Sequence, residues 1–264
     1  METYKNNEKI LLIGDFLASG DIGGSLCKDI LKFYSYDTDF IPTALISNKF
    51  SLKPIEIFDS SDFLENTLKV YKKQNRKYKA VFVGFVNSFK QAKIICDFIK
   101  EKNLFFILDP IMGDEGEIYK SLDSSVIKIY KYMSKYADII IPNLTEANLL
   151  TDKKFDNPYD IIDYYKTLNK NLIITSVDKN KRYFILAKDG NYIEEDYEYL
   201  GKSIGGSGDL FDSIFLVNFF KGYDLKSSIK KTRDMVSEIL FTQVELDKDT
   251  SDLNLRQILQ SYRK

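Results

Sequence analysis

The sequence predicts an α/β protein, a three-layer α/β/α sandwich in which helices cover both faces of a mainly parallel central sheet. Short apolar runs alternate with longer amphipathic segments along the chain, which is the pattern of repeated βαβ units. The apolar run LFFIL at residues 104–108 shows no polar alternation, as expected of a strand buried on both faces. No linker, internal repeat or low-complexity stretch is evident, so we expect residues 1–264 to form a single domain.

Hydrophobic periodicity gives the order of the elements. The predicted strands are residues 9–13, 40–47, 80–84, 104–108, 138–141 and 171–175. The predicted helices are residues 21–34, 61–74, 88–101, 122–137, 159–168, 210–221, 225–244 and 254–262. Residues 182–187 and 192–199 flank Asp189-Gly190, a typical hairpin turn, and are predicted to form a local antiparallel pair.

Composition excludes several classes of function. The net charge is −1, which gives no electrostatic reason to bind nucleic acid. The chain has no histidine, so a histidine general base, a Ser-His-Asp triad and a histidine-liganded zinc site are all excluded. Its two cysteines, Cys27 and Cys96, fall in apolar helical patterns and are predicted to be buried thiols. The chain shows neither a signal peptide nor a membrane-spanning run, and we expect a soluble cytoplasmic protein.

A glycine-rich turn at residues 205–208 precedes Asp209 and a very apolar helix. Glycines permit a tight turn and a close approach of the backbone to a ligand. Because the turn leads directly into a helix, its backbone N–H groups and the helix dipole are suited to binding an anion. Taken alone, the same residues also fit an ordinary surface turn with Asp209 as the helix N-cap.

Other polar residues follow the ends of predicted strands, where ligands bind in parallel sheets. Asn143 and Glu146 lie three positions apart and could face a magnesium ion if a helix begins at Leu144. They could equally be a helix cap with an acidic first turn. The remaining members of this set are Asp109, Asp114, Thr175 and Ser176.

Four motifs together resemble the ribokinase-like superfamily, in particular its vitamin-kinase branch, which includes pyridoxal and hydroxymethylpyrimidine kinases. They are GGSGD at residues 205–209, DPIMGD at 109–114, PNLTEA at 142–147, and Gly14-Asp15 followed by GDIGG at 20–24. The stretch PTALISN at 42–48 is similar to that of the pyridoxal/pyridoxamine kinases. The resemblance runs from about Leu11 to Lys231. No Walker-type G-x-x-x-x-G-K-[ST] motif is present, so the phosphate cradle would be the glycine turn.

The resemblance implies a role for each matched residue. Asp209 would be the catalytic base toward the substrate hydroxymethyl group, and the amides of Gly206, Ser207 and Gly208 would stabilise the transferring phosphoryl group. Asp109, Asn143 and Glu146 would organise Mg²⁺, partly through water. Further residues would lie on the nucleotide side (Asp109, Asp114, Asn143, Glu146, Thr175 and Ser176) and on the substrate side (Asp15, Ser47 and Phe85).

The implied activity is ATP-dependent phosphorylation of pyridoxal, pyridoxamine or pyridoxine, with Mg²⁺, a potential monovalent cation and a homodimeric assembly. Departures from the family pattern fall on the substrate side: Phe85 replaces a frequent tyrosine, Lys49-Phe50 replaces His-Thr, and Asp15 stands where many members have serine. Phe85 could stack on a pyridine ring or simply belong to the core. The alternatives are a hydroxymethylpyrimidine kinase and a non-catalytic protein that binds a nucleotide or vitamer.

Overall fold

The structure is a computed structural model that describes residues 9–20, 22–49, 54–151, 153, 155–179 and 181–256. Its strands are β1 Lys9–Leu17, β2 Thr38–Ile46, β3 Ile57–Asp59, β4 Tyr78–Val83, β5 Phe105–Leu108, β6 Gly113–Asp114, β7 Glu117–Ile118, β8 Ile139–Ile140, β9 Asn171–Lys179, β10 Arg182–Asp189 and β11 Asn191–Tyr197. Its helices are α1 Gly24–Phe33, α2 Ser61–Lys73, α3 Phe89–Lys102, α4 Ser125–Ser134, α5 Leu144–Leu150, α6 Pro158–Thr167, α7 Ser207–Phe220 and α8 Leu225–Leu246. None of the helices in this described part of the chain has the length and apolar character needed to cross a membrane.

The described strands form one nine-stranded sheet, in the order β11-β10-β9-β8-β5-β4-β1-β2-β3, and a small β6-β7 hairpin. The six strands from β9 to β2 are parallel, whereas β3, β10 and β11 are antiparallel to their neighbours. Parallel neighbours need crossover connections, which the helices supply. The predicted sandwich with a mainly parallel sheet is therefore confirmed.

Two apolar clusters lie on the two faces of the sheet. One packs α2, α3, α4 and α6 against it, and the other packs α1, α7 and α8. The strand β1 contributes to both, because its side chains alternate between the faces: Leu11 and Ile13 belong to the first cluster, and Ile10 and Leu12 to the second. Cys27 and Cys96 are buried free thiols, as predicted.

Most predicted elements are present, but their first or last residues differ from the prediction. The three short strands β3, β6 and β7 were not predicted. Helix α1 begins at Gly24, later than predicted, and the predicted start at Asp21 lies outside the described residues. Strand β9 extends to Lys179 because its second half pairs with β10. Ser176 therefore lies within the strand together with Thr175, not after the strand as predicted. The predicted helix at residues 254–262 lies mostly outside the described residues.

Candidate active site

A crevice of about 2030 Å³ runs along the carboxyl ends of the parallel strands. Eleven of the thirteen predicted site residues line it: Asp15, Asp109, Asp114, Asn143, Glu146, Thr175, Ser176, Gly206, Ser207, Gly208 and Asp209. Ser47 and Phe85 are not among its lining residues. The predicted convergence of polar groups from several strand ends is thus present in the structure.

The glycine turn ends at Gly206, the N-cap of α7, which has the left-handed φ of 87°. A side chain here would be strained, and a Cβ atom would also press against the methyl group of Ile22. Gly206 has no side chain with which to cap the helix. The first-turn N–H groups of α7 consequently have no side-chain cap, and Gly206, Ser207 and Gly208 line the crevice. One of the three predicted donors is already engaged, because the Ser207 N–H donates to the Ile204 carbonyl oxygen at 3.2 Å.

Asp209 connects the amino ends of two helices. It lies in the first turn of α7, and its Oδ2 accepts a hydrogen bond from the Gly23 N–H, at the N-cap of α1, at 3.0 Å. Asp209 is therefore not the N-cap of α7, which was the ordinary structural alternative. Burial raises the pKa of Asp209 to about 6, against the opposing effect of the Gly23 hydrogen bond. A carboxylate of this basicity is suited to accepting a proton near neutral pH.

Asp15 lies beside Asp209 at the end of β1 and is buried. Its carboxylate oxygens come within 2.8 and 3.0 Å of the position that a Cβ atom on Gly23 would occupy. Burial raises the pKa of Asp15 to about 7, and repulsion from Asp209 adds to the effect. The charge of Asp209 thus opposes the ionisation of Asp15 near the α1 N-terminus.

Asp109, after β5, forms a buried carboxyl pair with Asp212, in the second turn of α7. Burial, followed by the charge of Asp212, raises the pKa of Asp109 well above its usual range. The pKa of Asp212 is also raised well above its usual range, chiefly by burial. We infer that the hydrogen-bonded pair retains a proton when no cation is bound. Asp212 is a site residue that the sequence analysis missed.

Asn143 and Glu146 form a capping box at the start of α5, which confirms that a helix begins at Leu144. Asn143 Oδ1 accepts from the Glu146 N–H at 2.9 Å, and Glu146 Oε2 accepts from the Asn143 N–H at 3.0 Å. Glu146 Oε1 accepts from the Met112 N–H at 3.0 Å, and Asn143 Nδ2 donates to the Gly113 carbonyl oxygen at 2.8 Å. Since these bonds occupy the side-chain oxygens, the pair is better suited to holding a metal through water than to ligating it directly.

Replacing Asn143 with alanine should lower the free energy of unfolding by about 1–2 kcal/mol, because an N-cap bond and the bond to Gly113 are both lost. Urea denaturation measures this. Ser124→Ala is the matched control, because Ser124 is the N-cap of α4 and makes no side-chain capping bond. An equal loss in both variants would show that the capping box contributes nothing particular to stability.

The two predicted residues outside the crevice have other contacts. The Phe85 side chain is only 1% exposed and packs in an apolar cluster with Leu17, Ala44 and Ile46. This position fits the alternative that Phe85 is a core residue, and stacking on a substrate stays a prediction. Ser47 Oγ accepts from the Glu56 N–H at 2.9 Å and contacts Asn48, within the connection that leads to β3.

The residues present are compatible with Mg²⁺ but do not form a metal cage. In the described ranges no group of three or more acidic or thiol side chains is arranged to hold a metal ion. The Asp109 carboxylate lines the crevice and could supply one oxygen ligand. Magnesium usually retains waters and takes one or two carboxylates together with substrate phosphates. A partial donor set of this kind therefore fits a metal that arrives with a nucleotide.

Comparison with known proteins identifies the family. A profile described as phosphomethylpyrimidine kinase matches residues 41–254, most of the chain. The chain belongs to the phosphomethylpyrimidine kinase family. Solved structures share its fold: the pyridoxal kinase from Lactobacillus plantarum has a TM-score of 0.86 at 20% identity, covering 93% of this chain and 92% of the other. The predicted ribokinase-like fold is confirmed.

Two further relatives resemble this family member over most of their length. The pyridoxal kinase of Dictyostelium discoideum is 27% identical over 241 residues, 79% of this chain and 77% of the relative. The pyridoxal kinase from Leishmania donovani in complex with ADP and pyridoxamine has a TM-score of 0.80 at 18% identity, and covers 95% and 92% of the two chains. The family match over residues 41–254 confirms the predicted membership of the vitamin-kinase branch, and these two similarities agree with it.

Proposed function

We propose that the protein, as one kinase domain over residues 1–264, transfers the terminal phosphoryl group of ATP to the 5′-hydroxymethyl group of pyridoxal, pyridoxamine or pyridoxine. The single observation that carries the proposal is the position of Asp209. Its carboxylate lies at the uncapped start of α7 and within reach of a second helix N-terminus at Gly23. An anion site and a base of raised pKa are thus adjacent, as phosphoryl transfer to an alcohol requires.

In this mechanism the acceptor alcohol lies between Asp15 and Asp209, and Asp209 takes its proton as the bond to phosphorus forms. The Gly206 and Gly208 amides stabilise the transferring group, and the Ser207 amide would have to exchange its bond to Ile204 to join them. Bound Mg²⁺ would neutralise charge on the phosphates. Asp109 would hold the metal directly, and Asn143 and Glu146 would hold it through water.

Nucleotide binding is proposed for the opposite half of the crevice. Thr175 and Ser176 of β9 and Asp114 of the β6-β7 hairpin line the crevice and are proposed to contact the nucleotide. The Leishmania relative that was crystallised with ADP and pyridoxamine supports the same pair of ligand classes for this chain. Asp15 and Ser47 remain proposed for the vitamer side, and a monovalent cation remains a possible requirement.

The test is a side-by-side turnover screen of MgATP with the three B6 vitamers and with hydroxymethylpyrimidine. We expect ADP release with at least one vitamer, faster than with the pyrimidine. A hydroxymethylpyrimidine kinase is the second candidate because the matching family profile bears that description. Preference for the pyrimidine would establish it, and nucleotide binding with no ADP release from any acceptor would indicate a non-catalytic protein.

We also propose a cytoplasmic homodimer. An exposed apolar row supports the dimer: Phe16 is paired with Leu45, and Leu45 with Phe58, across β1, β2 and the edge strand β3. Their side chains are 42%, 44% and 63% exposed. Residues directly opposite on neighbouring strands point to the same face, so the three form a continuous apolar surface that a second copy could cover. The mass of the protein in solution checks this.

A further inference from the structure

The two walls of the crevice are joined by an ion pair between Lys49 and Asp252. Lys49 follows β2 on the proposed acceptor side, and Asp252 follows α8 on the side of the glycine turn. Both residues line the crevice. Their side chains are 18% and 35% exposed, so water screens the pair less than it screens a surface pair.

Asp252 belongs to a segment, residues 250–253, that pairs with the glycine turn. The Gly205 N–H donates to the Ser251 carbonyl oxygen at 2.9 Å, and the Leu253 N–H donates to the Gly205 carbonyl oxygen at 2.9 Å. A Cβ atom on Gly205 would overlap the Asp252 carboxylate. Lys202 Nζ, just before the turn, bonds to the Thr250 carbonyl oxygen at 2.8 Å. The shape of the turn therefore depends on this segment.

Lys49 belongs to the opposite wall and lies two residues after a hydrogen-bonded position. It follows Ser47, whose N–H donates to the Glu56 carbonyl oxygen at 3.0 Å and whose Oγ accepts from the Glu56 N–H at 2.9 Å. Lys49 Cε lies 3.3 Å from the position of a Cβ atom on Gly20, so its stem also covers the loop before α1. The same loop region carries Gly23, the hydrogen-bond donor to Asp209.

We propose that Lys49 and Asp252 are positioning residues whose ion pair fixes the distance between the acceptor-side wall and the glycine turn. The inference rests on the proposed kinase function. Phosphoryl transfer relies on alignment of the alcohol with the phosphoryl group, and a displacement of about 1 Å can cost about 100-fold in rate. Neither residue needs to contact the reacting atoms, since the pair acts by holding two elements that do.

A double-mutant cycle with Lys49→Met and Asp252→Asn tests the proposal. We expect each single variant to lose about 10-fold to 100-fold in kcat, with the dissociation constant of a non-hydrolysable ATP analogue changed less than about twofold. The double variant should be no slower than either single variant, because the same interaction is already absent. Lys49→Arg should recover most of the rate. Additive losses, or single variants as fast as the wild type, would overturn the proposal.

Lys90→Met is the matched control, since it removes an exposed ion pair with Asp62 on α3 and α2. Backbone hydrogen exchange in the unliganded protein supplies a readout that does not depend on activity. Exchange at the amides of the glycine turn and of residues 250–253 should be faster in Lys49→Met and unchanged in Lys90→Met. If the wild type has no kinase activity, the proposed function fails. The hydrogen-exchange comparison then tests by itself whether the ion pair holds the two walls together. If the wild type is active but exchange and kcat are unaffected by Lys49→Met, only the ion-pair proposal fails.

Discussion

Replacement of Asp209 by asparagine should lower kcat for vitamer phosphorylation by about 10²- to 10⁴-fold, the usual contribution of a positioned general base. The asparagine Oδ1 can still accept the hydrogen bond that Gly23 donates to the native carboxylate, so the two helix ends should stay together. Nucleotide affinity should therefore change little. Steady-state kinetics and calorimetric titration with a non-hydrolysable ATP analogue measure the two quantities.

Asp29→Asn is the control for Asp209, because Asp29 is an exposed aspartate on α1. It should retain the wild-type rate. In the wild type, the rate should fall as the pH drops through about 6, where the Asp209 carboxylate gains a proton. This acidic limb should disappear from the residual activity of the asparagine variant. A variant that retained more than a tenth of the wild-type kcat would rule out Asp209 as the base.

Replacement of Asp15 by asparagine should raise the free energy of unfolding at pH 8. The folded-state pKa of Asp15, about 7, lies above its unfolded-state value of about 3.9. The stability that the protonated carboxyl contributes is therefore complete below about pH 4 and is lost as the pH rises through about 7. Asparagine does not ionise, so the variant does not lose this stability as the pH rises. The stability lost by the wild type is at most about 4 kcal/mol, at about 1.4 kcal/mol per pH unit.

Urea denaturation between pH 4 and pH 8 checks this prediction for Asp15. The difference between variant and wild type should grow with pH up to about 7 and then level off. Asp29→Asn, at an exposed position on α1, again serves as the control. If the difference in unfolding free energy were constant with pH, the fold would not raise the pKa of Asp15. The same variant should lose activity if Asp15 binds the acceptor, so higher stability and lower turnover would occur together.

The fold could be predicted from the sequence because its strands are apolar runs and its helices have amphipathic spacing. The predicted strand at residues 104–108 corresponds to β5 Phe105–Leu108, which begins one residue later. The strands β3, β6 and β7 have two or three residues each, too few to show any periodicity. Strand β9 was predicted too short because its extension depends on pairing with β10, which is a tertiary effect.

The sequence predicted those site residues that belong to recognisable motifs. Asp212 was missed although the sequence carries a signal: it is a carboxylate inside the otherwise apolar run LFDSIFLVNFF, and a charge in a buried helix needs a partner. The sequence marked Lys49 only as a departure from the family pattern and gave no signal for Asp252, and the pairing of the two residues exists only after folding. The capping box at Asn143 and Glu146 was foreseen as a structural alternative, and the structure contains it.

The pairing of the glycine turn with residues 250–253 has a consequence for biosynthesis. Lys202 and Thr250, which bond to each other, are 48 residues apart, and Gly23 and Asp209 are 186 residues apart. A ribosome delivers the chain from its amino end at about 5–20 residues per second. The nascent protein must therefore wait several seconds after Lys202 is made before this bond can form. Once residue 208 has been added, the chain contains the whole glycine turn but still lacks residues 250–253, and we expect it to bind ATP poorly until they are made.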